Sequence, residues 1–127
     1  MKALVIPLAL VAAPAEAEEE EVVAPSGMAV TLHEVLYEVQ PYSEELWAVI
    51  RLLAPDLADA EDDPQEDLDW ACTHFAPEAV DAAPEPPVQI VVQIMDRVVP
   101  RGQADAEAAQ VFAGYVFDDD SCIWEGF

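Results

Sequence analysis

Positive charge is what this chain has least of. Lys and Arg together number 4 against 27 Asp and Glu, for a formal charge of −23 over 127 residues. Nucleic acid and anionic lipid both need clustered Lys or Arg, so neither is an expected partner. Glycine is scarce as well, with 4 residues. The chain holds no P-loop, no dinucleotide-binding Gly motif and no G-x-S-x-G segment. His33 and His74 are the only histidines, and no H-x-H or M-x-M cluster suggests copper. The two cysteines, Cys72 and Cys122, are far from the C-x-x-C spacing of a zinc or redox site. Carboxylates are so abundant that no pair stands out as general acid and base. No cofactor is implied, and catalysis is not expected.

What is present begins with a leader. Lys2 is followed by an apolar run from Ala3 to Ala13, broken only by Pro7, and then by Ala15-Glu16-Ala17. A charged start, an apolar stretch and small residues at the −3 and −1 positions describe a secretory signal peptide over 1–17, cut after Ala17. The run is too short to cross a bilayer core of about 30 Å as a helix, and no other stretch suggests a membrane span. The cut removes Lys2 and Glu16 together, so the charge stays as it was. The expected location is therefore the periplasm or the exterior. In such a compartment an even cysteine count suggests a disulfide, here Cys72 to Cys122, closing about 50 residues.

The rest is organised as an acidic leader over 18–27, read as disordered because of its Glu run and Pro25, and one domain over 28–127. From Ala29 to Gln40 the apolar residues fit a helix, with Thr31-x-x-Glu34 as a capping box, or a strand in two phases joined by a bulge near His33 and Glu34. Val, Thr and Tyr favour the strand. With Leu46 to Ala54, apolar except for Arg51, it makes a hairpin about Pro41-Tyr42-Ser43. Leu68, Ala71, Cys72 and Phe75 form one helical stripe, started by Asp63 and Pro64 and bounded by Pro77. Val88 to Met95 reads as a half-buried strand and Ala104 to Gln110 as a short helix. Val111 to Phe117 and Cys122 to Glu125 form a last hairpin. The expected fold is α+β, a mainly antiparallel sheet of about five strands with one main helix and a second short one.

Few residues invite a chemical role. Cys72 and His74 lie at i and i+2, which point apart on a helix, and an oxidised Cys72 has no thiolate to offer. Asp118-Asp119-Asp120 lacks the alternate ligands, central Gly and distal Glu of an EF-hand loop and reads as a turn. Asp96, Arg97 and Arg101 sit together after the best strand. They either pair locally or form a small cationic notch for a partner's carboxylate, which Arg accepts well.

The run Asp96-Arg97-Val98-Val99-Pro100-Arg101-Gly102, with Gln110-Val111-Phe112 and the closing Cys122-Ile123-Trp124-Glu125-Gly126-Phe127, resembles a family of small exported bacterial proteins of unknown function. Some members of that family are called acetolactate synthase. This chain is too short for that name and has no thiamine-diphosphate G-D-G segment. The resemblance implies a fold and a location, and no activity. The expectation is a non-catalytic periplasmic interaction or accessory domain with a basic protein as partner. The alternative is a binder of a small ligand or divalent cation.

Overall fold

The computed structural model describes residues 20–126. The expected signal peptide over 1–17 lies outside the described residues. Six strands form one sheet in the order β1-β2-β3-β4-β5-β6: Glu21–Val23, Ala29–Val39, Leu46–Leu53, Gln89–Met95, Gln110–Asp118 and Ser121–Trp124. All neighbours are antiparallel except β3 and β4. That one parallel pair needs a crossover, and the helix α1, Gln65–Asp81, supplies it. The class is thus α+β, and the mixed sheet curls into a half-barrel against one main helix.

The sixth strand comes from the segment expected to be disordered. Val22 sits opposite Val30, and Ala24 is buried. Gly27 closes the turn at φ +95°, a conformation that glycine adopts without strain. The β-branched pair Val22-Val23 had an edge of β2 to join, which outweighed the Glu run beside it. The short helix expected near 104–110 is absent. Asp105 Oδ1 instead accepts from the Glu107 N–H at 2.9 Å, a local side-chain bond that competes with helix. A 3₁₀ turn lies at Leu57–Asp59.

In β2 the register shifts between Leu32 and Glu34, where the two alternations change phase. Asp63 Oδ1 accepts from the Gln65 N–H at the start of α1. The helix then runs through Pro77, which was expected to bound it, as far as Asp81. A proline denies the carbonyl four residues earlier its partner. Here that carbonyl belongs to Thr73, and both residues are exposed, so water can serve. On the face towards the sheet, Leu68, Ala71, Cys72 and Ala76 pack on Ala48, Ile50, Ile90, Val92 and Ala113. Strand β4, expected to be half-buried, is buried on both faces from Ile90 to Met95. The reason is the segment between β4 and β5, which crosses the other side of the sheet. Cys72 and Cys122 stand at disulfide distance, S–S 2.06 Å and Cα–Cα 6.3 Å, linking α1 to β6. No helix among the described residues is long and apolar enough to cross a membrane.

Candidate functional site

Strand alternation puts Glu34, Arg51 and Gln93 side by side on the face of the sheet away from α1, because β2, β3 and β4 pair Glu34 with Arg51 and Arg51 with Gln93. Arg51 is 2% exposed and Gln93 3%. A buried guanidinium needs hydrogen-bond partners, and Arg51 has one at each of its three nitrogens. It donates from Nη1 to Glu34, from Nε to Gln93 Oε1 at 2.9 Å, and from Nη2 to the Val99 carbonyl. Gln93 passes the row on, donating to Gln110 Oε1 at 2.7 Å. A polar ladder thus crosses four strands, and the loop after β4 is bonded to its middle. Each of its three nitrogens is engaged and the side chain is shut off from solvent, so Arg51 holds the strands and the loop together.

The trio Asp96, Arg97 and Arg101 is divided by the fold. Arg97 pairs with its neighbour Asp96, Nε to Oδ1 3.2 Å, and remains half exposed. Asp96 also accepts from the Ala109 N–H at 3.0 Å. The Arg97 hydrogen bond, with the Ala109 amide behind it, holds the Asp96 carboxyl below its ordinary range. Arg101 reaches away to Glu38 on β2, 2.8 and 3.0 Å in a two-pronged contact. That bond lowers the Glu38 carboxyl and raises the guanidinium. The three arginines of the described chain are therefore all engaged by its own carboxylates.

Elsewhere the geometry is structural. His74 stacks on Trp70 at 5.3 Å and meets Phe75 edge-on at 4.7 Å. Asp119 and Asp120 form the two-residue turn of the β5–β6 hairpin, both at positive φ. The Tyr115 hydroxyl donates to Asp69 Oδ1 at 2.6 Å, fastening β5 to α1. Burial, then that bond, pushes its phenol far above its ordinary value.

A cleft of about 690 Å³ lies between the β1–β2 turn, the 56–64 segment and the start of β5. Its floor is apolar, with Met28, Leu57 and Val111, and its rim carries Asp56, Asp59, Glu61, Asp62 and Asp63. No Lys, Arg or His lines it. One wall is fixed by Asp67, which is buried and accepts from Ser26 N at 3.0 Å and Ser26 Oγ at 2.5 Å. The size falls in the range of small-molecule pockets, roughly 300–1,000 Å³. Among the described residues no three His, Cys, Asp or Glu side chains converge as a metal site. The acid-rich stretch 56–63 does not announce the cleft in sequence, since its walls come from three distant segments. The ladder had one visible signal, a lone Arg51 inside an apolar strand.

No curated protein and no solved structure matches the chain. A sequence model of a family of unknown function (DUF6497) matches residues 7–127. With nearly the whole chain covered, this protein belongs to that family.

Proposed function

We propose that the protein is a non-catalytic accessory domain of the periplasm that docks a basic protein partner over the acidic cleft. The observation that carries this reading is the cleft rim, five carboxylates with no cation among its lining residues. Two facts support it. The arginines that might have neutralised the rim are held elsewhere by Glu34, Asp96 and Glu38. The formal charge of −23 also attracts a basic molecule from a distance and repels an acidic one.

The test is capture from a periplasmic extract by the mature protein, with the variant Asp59→Asn, Glu61→Gln, Asp62→Asn as control. The expected result is a basic protein held at moderate salt and lost by the triple variant. Equal capture by both proteins would move the partner away from the cleft. A second reading is a small cationic ligand, favoured by the apolar floor beneath the charged rim. Calorimetry with organic amines and with Ca²⁺ separates it from the first. Location rests on the leader alone, and intact mass of protein from the native host should begin at Glu18.

A further inference from the structure

Strand β2 spans eleven residues, yet β1 covers only Ala29 to Thr31 of its outer edge. Opposite Val35 to Val39 that edge has no strand partner among the described residues. Natural edges are blunted by Pro, by charged side chains (Lys above all) or by a bulge, and the charges here, Glu34 and Glu38, are bonded to Arg51 and Arg101. The bulge here lies upstream of Glu34, and Glu34 to Val39 contains neither Pro nor Lys. Among the described residues, a short β1 thus leaves a template for one more strand, about six residues long.

Beside this edge is a groove. Helix α1 packs over β3 to β6, and the uncovered helix-side face of β2 forms one wall of a trough of about 490 Å³. Val35 and Tyr37 line it from β2, and Phe75 and Ala79 line it from α1. The Tyr37 hydroxyl holds the two walls together through the Ala79 carbonyl at 2.6 Å. Side chains that alternate along an added strand would enter this trough at every second position. Its acidic lining residues are Glu20 and Glu78, and its one basic group is His74, stacked on Trp70. The nearby cations Arg51 and Arg101 lie on the opposite face, bonded to Glu34 and Glu38.

We propose that the open edge of β2, Glu34 to Val39, takes an extended segment of a basic partner as an added strand, with its apolar side chains in the trough under α1. Main-chain bonds to β2 would give affinity, the trough would select alternate apolar residues, and Glu20 and Glu78 would select basic ones. A second copy of this chain is the poorer occupant, because it brings the same −23 charge and the same trough carboxylates. This site is separate from the acidic cleft.

The probe is an acetylated octapeptide of alternating lysine and valine, added to the mature protein, with amide hydrogen exchange read residue by residue. The outward amides of Glu34 to Val39 are expected to slow at least about tenfold on binding, with those of 56–63 unchanged. The same peptide N-methylated at every second residue keeps its charge and side chains and loses the main-chain donors. Its affinity should fall about tenfold or more. Glu78→Lys, an exposed change near a helix C-terminus that the helix dipole favours, should weaken the parent peptide about threefold. Equal binding of the N-methylated peptide would overturn the inference. So would failure of the parent peptide to bind, or protection confined to 56–63, which would support the cleft reading alone. Protection of the same amides by self-association without peptide would replace the basic partner with a second copy and overturn it too.

Discussion

On one side of the sheet, Ile50, Ile90, Val92 and Ala113 meet Leu68, Ala71 and Ala76 of α1, and the Cys72–Cys122 pair closes that layer covalently. On the other side, Glu34, Arg51, Gln93 and Gln110 form a hydrogen-bonded row under the loop that follows β4. The first layer is held by burial, which has no direction and tolerates apolar swaps that keep volume. The second is held by geometry. A buried guanidinium stabilises only if each contact stays in place, and one lost partner leaves a charge without water. The helix side should therefore yield gradually to mutation and the loop side abruptly.

The largest effect should come from Arg51→Ala. It leaves the buried Gln93 side chain and the Val99 carbonyl without their donor and empties the volume of a buried side chain, and a loss of about 3–5 kcal/mol is expected in urea unfolding. Replacing the row together, as Glu34→Leu, Arg51→Met, Gln93→Leu, should lose less than Arg51→Ala alone, since whole buried ion pairs exchange for apolar groups at little cost. If the triple variant is the less stable of the two, the contrast between the faces is wrong. On the helix side, Cys72→Ala with Cys122→Ala should cost roughly 2–5 kcal/mol, the chain-entropy value for this loop being about 4. The double variant should still fold to the same sheet by amide NMR, because the apolar layer remains.

A smaller change tests the hairpin that carries Cys122. Asp119 and Asp120 have φ of 55° and 63°, where Asn-Gly is the favoured pair. Asp119→Asn with Asp120→Gly should raise stability by about 1 kcal/mol, read as a higher urea midpoint at unchanged slope. No gain would mean that the two carboxylates contribute something the turn geometry does not reveal. The smallest effect belongs to the Glu38–Arg101 contact on the loop side. The folded Glu38 carboxyl is lowered. Its contribution is complete above the ordinary glutamate value near 4.3 and is lost as pH falls through the lower folded value. The stability gap between the native protein and Glu38→Gln should therefore close in strong acid and be constant above about pH 5. A gap that widens on acidification would show that Glu38 is not held by Arg101.

Much of the helix side was legible. Leu68, Ala71 and Cys72 announce an amphipathic helix by spacing, and Ile90, Val92 and Ile94 announce a strand facing it. The loop side was not. Glu38 and Arg101 are 63 residues apart, and no local pattern says that a charge on one strand will fold onto a distant loop. The acid-rich start showed the same limit. Val22 and Val23 became a strand because Val30 was there to face them, a fact of pairing and not of composition.

By itself, the sequence determined the charge, the absence of nucleotide and metal motifs, the main helix, the hairpins and the class of fold. These depend on residue type and short-range period, which chain order states directly. Tertiary structure alone decided that β3 and β4 run parallel, that Arg51 is buried, that Arg97 and Arg101 face different carboxylates, that an acidic cleft forms, and that β1 pairs only with the start of β2. Each of these depends on which distant segments meet, and hydrogen bonds and Coulomb forces act over ångströms of space, whatever the separation along the chain.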